Sequence, residues 1–432
     1  MATDSRTRVR AIPEASLLGF AFILLTLEGF DLAALGVTLP SMIADPGFGL
    51  TTALGGIAGA VTALGMLVGA ALTGILSPRI GPRRLVLAAA IVLPIGMLVC
   101  AIAPAAGLFI VGRAIVGFGL GMVPPTLLAL VADLSLPARR SRNVGLAMAG
   151  MALGGLCAPL IGAAMLPGLS FRWIYIVGAI PALIAIPFVM RLFPESPVHL
   201  VRTGRAAEAA ELTAAMGLPL PEVADDSRPG LRALFRPGLR AVTILFWLMA
   251  ACALLLVFGV TAWLPTIMQQ AGFDLGSALL LSAVVAVGAG VGMIIGGRVA
   301  DVVGPKLVTT VAFVAGAVSL VLVAQKPDLW LLLILMLVCG FGLNGTQALL
   351  NAYVLSRYPA DLRGTALSWT LAAGRPGAMI GPLLGAWVLT SGLGVQWNFY
   401  VFAIVGVVGA VLAISIPAGR RAGLPATERI PE

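Results

Sequence analysis

The sequence predicts an all-α membrane protein in which twelve transmembrane helices form two pseudo-symmetric six-helix halves. The chain of 432 residues is 60% hydrophobic and only 10% charged, with a mean hydropathy of +1.06. Soluble domains are about 45–50% apolar and about 25% charged. The apolar runs have the length of membrane-crossing helices, roughly 17–25 residues. Basic residues lie almost entirely on one predicted side, as the positive-inside rule requires.

The apolar runs divide the chain into three parts. Residues 194–238 form a hydrophilic cytoplasmic linker, in which Gly204–Met216 is predicted to be a short surface helix. The N-terminal half, residues 1–193, contains spans Leu17–Ile43, Thr52–Leu76, Leu85–Ala103, Gly107–Ala132, Val144–Met165 and Trp173–Leu192. The C-terminal half, residues 239–432, contains spans Ala241–Met268, Gly276–Gly296, Leu307–Ala324, Trp330–Leu355, Thr365–Leu389 and Trp397–Ile416.

The distribution of positive charge sets the topology. Of the 27 basic residues, 23 fall in the predicted cytoplasmic tails and loops or, for Arg191, at the cytoplasmic end of span 6, whereas Arg172 and Lys326 lie outside. Arg113 and Arg375 lie within spans. Both termini are therefore predicted to be cytoplasmic, with the first apolar run retained as a span. The net charge of +9 reflects this asymmetry and does not indicate a nucleic-acid partner.

The two halves resemble each other at a nearly constant offset in the numbering. Gly47–Leu50 matches Gly272–Leu275, and Gly117–Gly121 matches Gly340–Asn344. Several such matches occur at the same topological places, which indicates an internal duplication. A six-plus-six duplication predicts a substrate path between the two halves.

Two carboxylates lie in the middle of the first span. Glu28 and Asp31 are three residues apart and therefore share one side of a helix. Each acid at mid-membrane costs about 2.5–3.5 kcal/mol on insertion scales, and such residues usually line a pathway. We interpret the pair as proton-coupling residues. The alternative is a polar pair that hydrogen-bonds a neighbouring helix.

Two short segments carry a resemblance to a known superfamily. Gly74–Arg84 and Gly297–Lys306 resemble the signature Gly-x-x-x-Asp-x-x-Gly-x-Arg/Lys of the major facilitator superfamily, and Pro194–Pro197 also resembles it. The second copy retains the acid, and the first has Pro78 in its place. The resemblance implies a transporter fold. It also implies gating roles on the cytoplasmic side for Asp301, Arg298, Lys306, Arg79, Arg83 and Asp133.

A narrower resemblance is to the aromatic acid:proton symporters of that superfamily. It rests on Glu28–Asp31, and on Asn344 through Arg375 across spans 10 and 11. Arg113, followed by three alternating glycines, resembles the span 4 element that is linked to proton coupling. The resemblance implies an aromatic carboxylate as substrate, with binding residues Phe30, Asn344, Gln347, Asn351, Tyr353, Trp369 and Arg375.

The residue types allow two interpretations at each of these positions. Asn344, Gln347 and Asn351 share one helix face and either bind substrate or hydrogen-bond other helices. Arg375 either binds the substrate carboxylate or forms a structural ion pair. Tyr353 and Trp369 are candidates for ring stacking, whereas Trp263 and Trp397 are expected in an interfacial belt.

The sequence is compatible with three functions. The first is proton-driven uptake of a hydroxybenzoate-like acid by a monomer in a bacterial inner membrane, with the proton as coupling ion and no cofactor. The second is proton-coupled efflux, since Gly377–Pro382 resembles an antiporter element, although it lies in span 11. The third is a sensor that binds without transport. An enzyme is not indicated, because no nucleotide loop, metal cluster or nucleophile–base pair is found.

Overall fold

A computed structural model describes residues 13–221, 230–343, 345–359 and 361–417, and nearly all of the structure is helical. The first six long helices are α1 (Glu14–Ile43), α2 (Thr52–Ile80), α3 (Pro82–Ile102), α4 (Ala106–Asp133), α5 (Arg140–Met165) and α6 (Arg172–Leu192). We call the end of the bundle near residues 44–51 the outer end, which is the predicted external side, and the opposite end the inner end.

The linker contains two short helices and a 3₁₀ turn. Helix α8 (Ala206–Met216) agrees with the predicted surface helix and ends at Gly217, whose φ of 65° is the left-handed conformation that glycine favours. Helix α7 (Pro197–Arg202) was not predicted, because it is too short to give a periodic pattern. A 3₁₀ turn follows at Leu231–Phe235.

The remaining chain forms six further long helical segments, two of them interrupted. Helix α10 continues through a π turn at Gly292–Gly296 into α11, and residue 344 between α13 and α14 lies outside the described residues. The helices are α9 (Arg240–Gln270), α10 (Leu275–Val291), α11 (Gly297–Val303), α12 (Pro305–Val323), α13 (Leu329–Leu343), α14 (Gly345–Arg357), α15 (Arg363–Thr390) and α16 (Gln396–Ser415).

Eleven helical segments in the described ranges are long and apolar enough to cross a membrane. The twelfth long segment, α15, has 28 residues but is less apolar, since it carries Arg375, two prolines and several glycines. The bundle therefore contains the predicted twelve long segments. The inner signature segments were expected to be loops, but both are mostly helical. The chain turns only at Gly81 and Gly304, whose φ values of 86° and 102° suit glycine.

The same helix pairs pack together in both halves. Helix α1 packs on α5, α2 on α4, and α3 on α4 and α6. In the second half α9 packs on α15, α10 on α13, and α12 on α13 and α16. This repeated pairing is the packing that an internal duplication predicts.

Contacts between the two sets of helices concentrate toward the outer end. Helix α1 meets α9 at Gly36, where a Cβ would overlap the Thr261 carbonyl. Helix α2 meets α15 at Gly56 and Gly59, where a Cβ would lie 2.6 Å from carbons of Ala386 and Pro382 respectively. Small residues thus let the helices approach backbone to backbone, as is usual in membrane bundles.

Candidate functional site

A buried ion pair lies at the centre of the first half. Asp31 on α1 and Arg113 on α4 are 0% and 1% exposed, and Arg113 Nη1 lies 3.2 Å from Asp31 Oδ1. Arg113 Nε also donates a hydrogen bond to Thr62 Oγ1 on α2, at 3.2 Å. The Arg113 guanidinium therefore links α4 to α1 and α2. It also balances the charge of Asp31, which would be costly to bury without a positive partner. Nothing in the sequence singled out Thr62, because threonine is common in membrane helices.

Glu28 lies one turn before Asp31, toward the inner end. It is 1% exposed, and neither of its carboxylate oxygens has a hydrogen-bond partner among the described residues. Two charges act on it: Arg375 on α15 attracts it, and Asp31 repels it. Glu28 is thus a buried acid on which the positive charge of Arg375, from the other half of the chain, acts.

Arg375 accordingly has an acidic neighbour that the sequence interpretation did not give it. Helix α15 carries no acid, and either buried acid of α1 could have paired with Arg113. The structure divides them: Asp31 pairs with Arg113, and Glu28 is the acid whose charge acts on Arg375. Within the described residues Arg375 makes no direct ion pair or hydrogen bond, so its guanidinium is available to a further anion.

A small void adjoins this charge cluster. It has a volume of about 30 Å³ and lies between the two halves, with Thr62 and Arg113 on one side and Phe258 and Pro382 on the other. About 10–15 Å³ suffices for one water molecule when polar partners are present. The void therefore offers room for water beside Arg113.

The polar face of α14 retains unsatisfied hydrogen-bonding capacity. Gln347 Nε2 donates to Asn351 Oδ1 at 3.3 Å, whereas Gln347 Oε1 is buried without a partner in the described residues. Asn344, the third predicted member of this face, lies outside the described residues. The two amides hydrogen-bond to each other, and one oxygen stays free for a ligand. The pair is therefore compatible both with structural hydrogen bonding and with substrate binding.

The predicted aromatic residues occupy different environments. Phe30 and Tyr353 are 5% and 4% exposed. Phe30 packs near Gly178 on α6, and Tyr353 makes an edge contact with Phe246 at a centroid distance of 5.0 Å. Trp369 is 40% exposed and lies beside Trp247, with ring centroids 6.4 Å apart. Trp369 is therefore the predicted aromatic residue with an open ring surface, and Trp247 is a neighbour that the sequence interpretation missed.

The prediction of an interfacial position for Trp263 is wrong. Its side chain is fully buried, and its indole Nε1 donates to the Pro382 carbonyl oxygen at 2.8 Å. Gly385 on α15 leaves the space that the indole ring fills. Trp397, in contrast, is 44% exposed at the outer start of α16. Both residues lie near a helix end in the sequence. The packing of α9 on α15 decides that Trp263 is buried.

The predicted gating residues make contacts inside their own halves. Arg83 Nη2 donates to the Met190 carbonyl oxygen at 2.8 Å, and Lys306 Nζ donates to the Ile416 carbonyl oxygen at 2.7 Å. These two basic residues occupy equivalent places in the two signature segments, so the contacts are equivalent in the two copies. Each ties a signature segment to the end of the last long helix of its half.

Several charged residues surround the two signature segments. Asp301, Arg298 and Arg79 are exposed, and none of them has an ion pair among the described residues. Glu195, from the segment that follows α6, accepts a hydrogen bond from the Arg83 backbone N–H at 3.2 Å. It therefore lies at the N-terminus of α3, where the helix dipole favours an anion.

Asp133, at the inner end of α4, is hydrogen-bonded to the linker. It accepts a hydrogen bond from Ser196 Oγ at 2.5 Å, and Arg140 Nε donates to the neighbouring Ala132 carbonyl oxygen at 2.9 Å. The end of α4 is thus joined to the start of the linker. Glu195 and Ser196 belong to Pro194–Pro197, the segment that resembles the superfamily. That resemblance was the signal in the sequence that could have indicated these contacts.

The antiporter-like element on α15 has a packing role. A Cβ at Gly377 would overlap the Ala251 carbonyl of α9, and one at Gly381 would overlap the Leu255 carbonyl. The equivalent packing of α1 on α5 uses Gly29, where a Cβ would overlap the Met151 carbonyl. This element is therefore explained by close helix approach.

Comparison with known proteins shows the family. The profile of the Major Facilitator Superfamily matches residues 21–375 and again residues 276–431. The chain belongs to the major facilitator superfamily. It is accordingly a multi-pass membrane transporter and not an enzyme.

Curated relatives cover most of this transporter. A gentisate transporter of Corynebacterium glutamicum is 30% identical over 93% of this chain and 86% of its own length. A benzoate transport protein of Acinetobacter baylyi is 28% identical over 91% of this chain and 87% of its own. A 4-hydroxybenzoate transporter of Pseudomonas aeruginosa is 30% identical over 91% and 89%. These three relatives transport, by their names, single-ring aromatic carboxylates.

Solved structures support the same fold. An inward-open structure of the xylose transporter of E. coli matches 95% of this chain and 98% of its own, with a TM-score of 0.75 and 17% identity. A partially occluded inward-open structure of the same transporter has a TM-score of 0.74 at 18% identity, covering 94% of this chain and all of its own. At this identity the likeness concerns the fold alone.

Proposed function

We propose that this transporter carries a small aromatic carboxylic acid into the cell together with protons. The observation that carries the proposal is the buried charge cluster, in which two carboxylates of α1 face two arginines drawn from different halves. Such a cluster combines groups that bind protons with a guanidinium that binds a carboxylate.

Charge balance links substrate and proton. With both acids ionised, Glu28 and Asp31 balance Arg113 and Arg375, so the cluster is neutral. A substrate carboxylate that enters this low-dielectric region adds one negative charge, which is expensive unless a proton enters too. Binding of one monocarboxylate therefore favours protonation of one of the two acids. At least one proton is therefore expected to accompany each monovalent anion.

The two acids take different parts in this proposal. Asp31 is already held by Arg113, whereas Glu28 has no direct partner among the described residues. A substrate carboxylate that binds Arg375 supplies the negative charge that Glu28 otherwise provides to that guanidinium. Glu28 then loses its positive neighbour and takes up a proton. Asp31 and Arg113 transmit the same event to α4 and, through Thr62, to α2.

The aromatic part of the substrate is supported by two observations. The curated relatives are named as transporters of gentisate, benzoate and 4-hydroxybenzoate. Trp369, with an exposed ring beside Trp247, offers an aromatic surface on α15, the helix that carries Arg375. A ring that stacks there would gain about 0.5–1.5 kcal/mol beyond its burial.

The remaining features follow the expectations from the sequence. Residues 1–193 and 239–432 act as two halves that alternate access around the cluster, joined by the linker 194–238. The protein works as a monomer in the lipid bilayer of a bacterial inner membrane, with both termini cytoplasmic. It needs no cofactor, and the proton is the coupling ion.

The test is transport by the purified protein in liposomes. Radiolabelled benzoate, gentisate and 4-hydroxybenzoate are offered under an imposed pH gradient, acid outside, with and without a protonophore. We expect accumulation of at least one acid, which the protonophore abolishes. Accumulation only under the opposite gradient would show efflux by antiport, and binding without accumulation would show a sensor. Either result contradicts the proposal.

A further inference from the structure

A cavity lies at the outer end of the second half, away from the charge cluster. Its volume is about 250 Å³, and it is lined by the ends of α9, α12, α13 and α16. Its lining is mostly apolar and includes Phe273, Leu332, Val395 and Phe399, with Lys326 as its one charged residue. Because all these residues belong to one half, the cavity is separate from the path between the halves.

The internal duplication shows what fills the corresponding place in the first half. Gly168–Trp173 matches Gly392–Trp397, and α6 and α16 begin at equivalent positions. Val395 therefore corresponds to Phe171, and Gln396 corresponds to Arg172. By the match of Gly47–Leu50 with Gly272–Leu275, Phe273 of the cavity corresponds to Phe48.

In the first half a ring and a guanidinium occupy this place. The Phe171 ring lies 4.9 Å from the Phe48 ring, and Arg172 lies over both rings at 5.9 Å from Phe48 and 5.2 Å from Phe171. Arg172 Nη1 donates to the carbonyl oxygens of Ala101 and Ala103, at 2.8 and 2.6 Å. Cation–π contacts and hydrogen bonds together close the outer end of that half.

In the second half the ring and the guanidinium are missing. Valine replaces Phe171, so a space is left where an aromatic ring would lie. Gln396 is exposed and makes no hydrogen bond to the Ala324 or Lys326 carbonyls within the described residues. The cavity is thus the empty counterpart of a place that the first half fills with a phenyl ring.

Lys326 adds a positive charge at this cavity. It corresponds to Ala103, since Ala103-Pro104 matches Lys326-Pro327 in the duplication. Its φ is 54°, a left-handed conformation that glycine would adopt more easily. The Lys326 ammonium has no ion pair or hydrogen bond among the described residues, so it is available to an anion.

We propose that this cavity binds an aromatic monocarboxylate at the outer face. The ring of the ligand takes the place of the missing Phe171 counterpart, between Phe273 and Val395, and its carboxylate pairs with Lys326. The size is suitable, because an engineered cavity of about 150 Å³ accepts benzene. The site is additional to the central cluster and does not depend on the transport function proposed above.

The experiment isolates this site from the central one. Equilibrium binding of radiolabelled benzoate to the purified full-length protein is measured in an Arg375→Gln background, which lacks the proposed central anchor. Val395→Phe restores the ring of the first half, and Lys326→Gly removes the charge while suiting the backbone. Val408→Phe, on α16 at a position that is 46% exposed, is the matched control for ring insertion.

We expect Val395→Phe to weaken benzoate binding at least tenfold and Val408→Phe to leave it unchanged. Lys326→Gly should weaken benzoate binding at least tenfold and leave the weaker binding of neutral benzamide unchanged. Octanoate, a fatty carboxylate, should bind at least tenfold more weakly than benzoate. Equal binding by the parent and Val395→Phe, or tighter binding of octanoate, would overturn the proposal.

A second measurement covers the case in which Arg375→Gln does not fold. The otherwise unaltered protein should then bind two benzoate molecules per chain, and Val395→Phe should reduce the number to one. A stoichiometry that Val395→Phe leaves unchanged refutes the outer site. That result would leave gradient-driven uptake in liposomes intact, so the failure of this inference is distinguishable from the failure of the proposed function.

Discussion

Asp31 and Arg113 form an ion pair of 3.2 Å that is closed off from solvent and joins α1 to α4. Burying two charges is costly, and breaking such a pair by removing one partner typically destabilises a protein by about 3–5 kcal/mol. A substitution that keeps the shape and the hydrogen-bond acceptor still leaves the Arg113 charge unbalanced, so thermal unfolding of the variant is measured beside its transport.

We expect Asp31→Asn to abolish gradient-driven accumulation while retaining exchange of internal for external substrate. The amide oxygen still accepts from Arg113, but the side chain no longer binds and releases a proton. Uptake under an imposed pH gradient and counterflow in the same liposomes measure the two activities. Asp45→Asn, in the loop after α1, is the control and should behave like the parent. Unaltered accumulation by Asp31→Asn would show that the acid is structural.

Glu28→Gln is expected to reduce gradient-driven accumulation at least in part. The amide cannot take up a proton, yet it removes a buried charge that has no direct partner in the described residues. Loss of this costly buried charge offsets the loss of its attraction to Arg375, so the free energy of unfolding should change little, and thermal unfolding checks this. Accumulation equal to that of the parent would remove Glu28 from the coupling mechanism.

Arg375→Gln is expected to abolish uptake of the acid, and Arg375→Lys to weaken its apparent affinity, because an ammonium cannot reproduce the planar fork. Binding of a neutral ester should change little. Since Glu28 is the acid whose charge acts on Arg375, removing the arginine leaves that acid unbalanced. If Arg375→Gln fails to fold, the double variant Glu28→Gln/Arg375→Gln should recover folding but not uptake. Normal uptake by either variant would exclude Arg375 as the substrate anchor.

The two signature segments are expected to respond differently to substitution. Asp301→Asn should lower the transport rate, because the second copy retains the acid of the signature. Pro78→Asp should be tolerated, since Glu195 already supplies a carboxylate at the N-terminus of α3. Initial uptake rates of the two variants, normalised to protein in the membrane, provide the measurement. Indifference to both changes would argue against a gating role for these segments.

Glycine contacts on α1 provide a test of the packing. Gly29→Val should destabilise the protein by more than the about 1–3 kcal/mol typical of overpacking, because even a Cβ would overlap the Met151 backbone of α5. Gly19→Val, on the same helix with nothing within 4 Å of a built Cβ, is the matched control. Thermal unfolding in detergent distinguishes them, and equal stability of the two variants would contradict the packing of α1 on α5.

Much of the fold was predictable because membrane proteins obey strong one-dimensional rules. A helix must cross the hydrocarbon layer with its backbone hydrogen bonds satisfied, so apolar length predicted all twelve long segments. Eleven of those in the described ranges are long and apolar enough to cross a membrane. Helix α15, the twelfth, was predicted as span 11 although it is less apolar, since it carries Arg375 and two prolines. The central acids and arginines were conspicuous for the same reason, since each is costly in lipid.

The partners of these charges were not predictable. The sequence does not indicate that Arg113 pairs with Asp31 or that the charge of Arg375 acts on Glu28, because both depend on which helices become neighbours. Likewise, Trp263 is covered only because Gly385 leaves room for its ring, and Phe30 and Tyr353 point into the bundle core.

The sequence by itself determined the class of protein, the number of long helices, the duplication and the identity of the intramembrane charges. The tertiary structure alone decided which charges pair, which aromatic rings stay open and where the second half leaves a cavity that the first half fills. The physical reason is that hydropathy and periodicity are properties of single helices. Ion pairs, close glycine contacts and cavities arise only where several helices meet.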